Sequence, residues 1–142
     1  MTALIPNTRL SHGTIECEDC LTSRKFYQEI LGLGSVRPLA EAQYLWQGGP
    51  WSLVCVAIGD KPKPQTPENR FCLRVTTAAE VEAAHAAAHN ARHAHAIQQI
   101  TNITESNGVR SFLIHDRDNV WWEIANTTPT HYDEAFARGD IT

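Results

Sequence analysis

Polar and apolar positions alternate with period two over residues 9–17, so this stretch reads as a strand. His12, Thr14 and Glu16 fall on one face; Gly13, Ile15 and Cys17 fall on the other. The period then lengthens. Phe26, Tyr27, Ile30 and Leu31 recur at helical spacing, Asp19 is placed to cap the helix, and Gly32 to stop it. Residues 34–38 look extended, 43–47 form a strand candidate, Gly48-Gly49 is a hairpin signal, and residues 51–58 are a nearly continuous apolar strand. After a proline-rich linker at 59–68 the order repeats. Residues 69–75 predict a strand, and Thr77-Ala78-Ala79-Glu80 is a capping box opening an alanine-rich helix into the nineties. Three strands follow, at 97–103, 110–115 and 121–125, and the tail with Tyr132 and Phe136 predicts a short docked helix.

The chain is thus an α+β protein built from a βαβββ unit used twice, a repeat that rests on element order and not on identity between the halves. Its 142 residues suit one domain, with module one at about 9–58, module two at about 69–126 and a tail at 127–142. In each strand the more apolar face is expected under the helices. The other face, with His12, Arg70 and Glu123, then lines what the sheets enclose. In the fifth strand Arg70, Cys72 and Arg74 oppose Phe71, Leu73 and Val75; in the last, Trp121, Glu123 and Ala125 oppose Trp122 and Ile124.

Composition narrows the class. With 42% hydrophobic residues and 20% charged ones, an ordinary core is expected. A net charge of -4 argues against a nucleic-acid platform, and no apolar run reaches the ~18 residues of a membrane span. Without a signal-peptide pattern, a soluble cytoplasmic protein with free thiols is expected. Cys17 and Cys20 are formally a C-x-x-C. Because Cys17 shares the inward face of its strand, the pair reads as small buried thiols before it reads as a redox site.

Two segments carry a family likeness. Leu10 to Leu33 places a histidine on the first strand, then Ser23-Arg24-Lys25-Phe26-Tyr27 and Leu31-Gly32-Leu33; Phe112 to Ile124 places Asp116-Arg117-Asp118 before Trp121-Trp122-Glu123. With the βαβββ repeat over 9–126, the chain resembles the vicinal oxygen chelate superfamily, which includes glyoxalase I, extradiol dioxygenases, methylmalonyl-CoA epimerase, fosfomycin resistance enzymes and bleomycin resistance proteins. The resemblance implies two βαβββ modules forming a cup-shaped mixed sheet around a cavity, often in a homodimer. It also implies one divalent metal ion (Fe2+, Mn2+, Zn2+ or Ni2+), with His12 and Glu123 as ligands. Where metal-dependent members carry a further histidine, this chain has Arg70, which cannot deprotonate and cannot ligate. A guanidinium there predicts a bidentate ion pair with Glu123, or a grip on a substrate carboxylate or phosphate.

The remaining candidates are weighed on parity. His115 shares the face of Leu113 and is either an acid-base or ligand group or a rim histidine. Cys72 lies on Arg70's face as a substrate contact or soft ligand. Trp121, beside Glu123, favours flat or apolar substrates, while Trp46 and Trp51 are cavity, interface or core aromatics. His85, His89 and His93 are spaced like helix-borne zinc ligands but lack an intervening base, so they read as a solvated helix face. Three functions stay open: a metal-assisted small-molecule enzyme (proton transfer, lyase or dioxygenase chemistry) using Glu123, Arg70 and His115; a metal-free binding protein of the bleomycin resistance type; and a metal-free enzyme in which Arg70 captures an anion.

Overall fold

The structure is a computed structural model that describes residues 3–141. Its chain divides into two compact units, Met1–Pro62 and Lys63–Thr142. The first contains β1 (His12–Cys17), α1 (Cys20–Lys25) with a following π-helical turn (Phe26–Ile30), β2 (Gly34–Leu39), β3 (Ala42–Trp46) and β4 (Ser52–Ala57). The second contains β5 (Arg70–Arg74), α2 (Ala78–Ala91), β6 (Gln99–Ile100), β7 (Thr104–Ser106), β8 (Val109–His115), β9 (Trp121–Ala125) and α3 (His131–Arg138). The βαβββ order of the sequence is present in the first, and in the second with one strand more, since β6 and β7 both precede β8.

The two sheets share one topology. In the first unit the order is β1-β4-β3-β2, and β1 pairs with β4 in parallel while the other neighbours are antiparallel. In the second the order is β5-β9-β8-β6, β7 also pairs with β8, and again the first strand runs parallel to the last, β9. A parallel pair needs a crossover, and the intervening helix and strands supply it.

Local chemistry sets the helix starts. The Asp19 carboxylate accepts from Thr22 N at 2.8 Å and from Thr22 Oγ1 at 2.7 Å, which holds its pKa below the usual value. At α2, Thr77 Oγ1 accepts from Glu80 N at 3.1 Å and Glu80 Oε2 accepts from Thr76 N at 3.2 Å, so the predicted capping box forms with its return bond one residue before the N-cap. Sequence spacing gave no sign of the π-helical turn, in which Leu31 N reaches back to Phe26 O. It accompanies the burial of two consecutive aromatics, Phe26 and Tyr27.

Each unit buries one sheet face beneath its helix. Ile15, Cys17, Tyr27, Leu45, Leu53 and Cys55 form the first core; Val81, Ala88, Phe112, Ile114, Trp122 and Ile124 form the second. Each large side chain taken out of water contributes about 1.5–3 kcal/mol, so Tyr27 and Trp122, both wholly buried, anchor their units.

Two expectations are corrected. Of the strand expected over 97–103 only Gln99–Ile100 forms, as β6, and the separate β7 begins beyond it at Thr104. Leu113 N donates to the side chain Thr101 Oγ1 at 2.8 Å where a regular ladder would offer a main-chain partner. The tail helix forms as α3, but it does not dock: none of its residues is buried, and Tyr132 and Phe136 are exposed. No helix among the described residues is long and apolar enough to cross a membrane.

Candidate functional site

Strand register arranges the second unit's open face in rows. Arg70 on β5 is opposite Trp121 on β9, which is opposite His115 on β8. The next row on the same face is Cys72, Glu123 and Leu113, and the one after it Arg74, Ala125 and Ser111. Arg70 and Glu123 are diagonal neighbours, and Arg70 Nε lies 3.5 Å from Glu123 Oε1. The predicted ion pair is formed, through one nitrogen and not as a bidentate fork. Arg70 Nη1 donates instead to Pro67 O at 3.0 Å. The pair is half in solvent, with 36% of the arginine side chain and 21% of the glutamate side chain exposed.

Cys72 is the register partner of Glu123 across β5 and β9. Burial of the thiol, then the Glu123 charge and a hydrogen bond to that carboxylate, push its pKa up to about 11. Cys72 as a residue is exposed, and the raised pKa keeps its thiol protonated near neutrality. Along the first row, His115 stacks on Trp121 with ring centroids 4.3 Å apart and an interplanar angle of 7°. Trp121 is pinned by its indole N–H, which donates to Gln65 O at 2.9 Å. It is buried, a wall of the face and not an open stacking platform.

The acidic turn before β9 sets this register. Asp116 accepts from Asp118 N at 2.8 Å, from Val120 N at 3.0 Å and from Trp122 Nε1 at 2.9 Å. Asn119 takes the left-handed conformation the turn needs, with φ 67°. Burial raises the Asp116 pKa to about 7 against the lowering effect of those N–H donors.

In the first unit His12 opens β1 opposite Ser52 of β4. Ser11 Oγ and His12 Nδ1 are 3.1 Å apart. His12, Ser11, Glu41, Tyr44, Val54 and Val56 are among the residues around an open pocket of about 590 Å3. Ser11 and Glu41 escape a sequence reading. Glu41 sits in the β2–β3 turn, and only the folded sheet shows that this turn borders the pocket. Trp51 packs on the opposite side of β1, 3.1 Å from where a Cβ on Gly13 would stand, and Trp46 donates to Gly49 O at 2.7 Å.

Thus the fold gathers Arg70, Cys72, Glu123, Trp121 and His115 on one face of the second unit, and places His12 in the pocket of the first. Among the described residues no three of His, Cys, Asp and Glu gather as a metal-holding group. Within the second unit the donor set does not fit a divalent ion. Glu123 and Cys72 are two groups that could ligate, and the guanidinium beside them cannot, so the set falls short of the three protein ligands usual at a catalytic site. Nor do the α2 histidines form a site: His85 Nε2 bonds Thr101 O at 2.9 Å and its ring packs against Phe112, so it serves the core.

No protein-family model matches the sequence, and no curated protein matches it. Solved structures do. The fosfomycin resistance protein FosX of Listeria monocytogenes is similar at 17% identity and a TM-score of 0.67, over 90% of this chain and 98% of that one. FosX of Mesorhizobium loti is similar at 16% identity and a TM-score of 0.67, over 91% and 98%. Lactoylglutathione lyase of Agrobacterium tumefaciens is similar at 16% identity and a TM-score of 0.58, over 85% and 95%. A variant of the Listeria protein was crystallised with Mn(II) and 1S,2S-dihydroxypropylphosphonic acid. The fold of this chain is the paired βαβββ fold of the vicinal oxygen chelate superfamily.

Proposed function

We propose that the chain is a small-molecule enzyme of the vicinal oxygen chelate type, acting on a substrate whose anionic group is gripped by Arg70 beside Glu123. The carrying observation is the half-exposed Arg70–Glu123 pair, with an arginine at the position where the family resemblance expects a ligating histidine. Arg70 commits Nε and Nη1, and its Nη2 makes no hydrogen bond among the described residues. A carboxylate, phosphate or phosphonate fits that open edge. The phosphonate held by the Listeria variant supports an anionic substrate.

The chain's own groups then divide the work. When the substrate anion engages the guanidinium, Glu123 is released from Arg70 and is placed to take a substrate proton. His115, at the end of the adjoining row, is placed as a second proton carrier, with its ring orientation fixed by Trp121. Trp121 walls the face against water and favours substrates with an apolar body.

The test is calorimetric titration with methylphosphonate, inorganic phosphate and acetate. Binding by at least one, weakened tenfold or more in Arg70→Gln, is expected; equal binding by that variant would overturn the reading. Anion binding with no turnover of any substrate would leave a metal-free binding protein of the bleomycin resistance type. A second reading makes His12 and Glu123 ligands of a divalent ion, and the Mn(II) of the Listeria variant favours it. One imidazole and one carboxylate hold an ion weakly. Metal analysis of untagged protein decides: about one equivalent supports this reading, and far less than one counts against it.

A further inference from the structure

We propose that Cys17 and Cys20 are a redox-responsive pair, which a small disulfide such as oxidised glutathione converts into an intrachain disulfide tying the end of β1 to the start of α1. Their Sγ atoms lie 3.9 Å apart in the reduced protein. A disulfide needs about 2.05 Å, a closure of side-chain rotation across two intervening residues and not of long-range rearrangement. Both thiols are buried, at 0% and 3% exposure. The residues between them, Glu18 and Asp19, are exposed, so the pair lies just beneath the surface.

The surroundings select this pairing over others. Cys55 Sγ is directed to Tyr27 OH at 3.8 Å, and Cys72 is the register partner of Glu123 on β9. The flanking main chain is held in place: Ile58 N donates to Cys17 O at 2.9 Å and Gly59 N to Glu18 O at 3.2 Å. That frame keeps the two sulfurs adjacent while the thiols exchange. In the exchange one thiolate attacks oxidised glutathione and releases one glutathione thiol; the second cysteine then attacks the mixed disulfide and releases the other. Two electrons and two protons pass to glutathione. Burial foremost, and then Cys17, raise the Cys20 pKa to about 11. The reaction is therefore slow at neutral pH and quickens as the solution becomes alkaline.

The experiment is overnight incubation of the full chain in oxidised glutathione at pH 8, followed by denaturation, alkylation with iodoacetamide and peptide mass mapping. The reduced protein presents four alkylatable thiols. After oxidation two should be protected, mapped to Cys17 and Cys20, and released by dithiothreitol. Cys17→Ser and Cys20→Ser should abolish the protection. The double variant C55S/C72S should keep it, which leaves the proposal testable if a serine at the buried pair impairs folding. Continued alkylation of all four thiols, or protection that maps to Cys55 or Cys72, would overturn it.

Discussion

The two units are the same topology filled in two ways. His12 and Arg70 each open the strand that pairs in parallel with the unit's last strand. Two residues into that last strand the first unit has Val54 and the second Glu123. The consequence is electrostatic. In the second unit a cation and an anion meet on the diagonal and satisfy each other. In the first, an imidazole borders an open pocket walled by Val54, Val56 and Tyr44, and no carboxylate stands on the diagonal. One repeat therefore offers an apolar pocket with a polar rim, the other a charged face that an anion can enter by competition. A repeat preserves register far more strictly than chemistry, because register is enforced by every buried side chain while the open face is not.

The largest difference to break lies behind that face. Among the described residues, buried carboxylates occur only in the second unit, at Asp116 and Asp118. Asp116→Ala would orphan three N–H donors, including the Trp122 indole, at a cost of roughly 2–5 kcal/mol. The wild type should also titrate. Its folded-state pKa of about 7 exceeds the ordinary aspartate value of 3.8. The folded state therefore binds the extra proton in that window, and stability should fall as pH rises from about 4 through 7, then level off. Asp116→Asn should flatten this slope. Urea melts at pH 4.5, 6 and 8 check it; an unchanged slope in the variant would assign the pH dependence elsewhere.

Next is the diagonal itself. Arg70→His puts an imidazole beside Glu123 and Cys72, three ligating side chains where the wild type has two and a guanidinium. Zinc affinity measured by competition with a chromophoric chelator should rise at least tenfold. No gain would show that Arg70 alone does not keep metal out of this face. Glu123→Gln sharpens the same point from the other side. Removal of the internal anion should strengthen methylphosphonate binding several-fold, while stability shifts by less than about 1 kcal/mol because the pair is partly exposed. Weaker anion binding in this variant would mean that Glu123 orients Arg70 and does not compete for it.

Much of this contrast was legible from the residues in order. Period-two alternation put His12 with Thr14, and Arg70 with Cys72, on the open faces, and the structure keeps those parities. Asp19, the Thr77–Glu80 box and Gly32 announced their helix ends because capping is local chemistry. What stayed hidden depended on partners far along the chain. The break after β6 arises because Thr101 offers its hydroxyl to Leu113, and no local pattern distinguishes that threonine from one in a continuous strand. The His115–Trp121 stack requires the β8–β9 register. Glu41 reaches a pocket only when β2 and β3 fold over, and a single acidic residue in a turn carries no such signal. The distance between the Cys17 and Cys20 sulfurs likewise appears only once strand end and helix start are fixed.

The smallest expected effect tests whether the first unit's open face depends on its back. Gly13 follows His12 on β1 and points to the opposite side, toward Trp51. A methyl added there would stand 3.1 Å from Trp51 Cζ2 and 3.5 Å from Leu53 Cδ2. Both neighbours are side-chain atoms, and Trp51 is partly exposed, so the indole can yield by a few tenths of an ångström. Gly13→Ala should therefore cost no more than about 1 kcal/mol, part of it recovered because alanine restricts the unfolded chain. Trp51 fluorescence is blurred by three other tryptophans, so the useful probe is NMR: the Trp51 indole signal should shift while the His12 ring signals stay in place. A His12 shift as large as that of Trp51 would show that the pocket is held from behind, and that the first unit's open face is as constrained as the ion-paired face of the second.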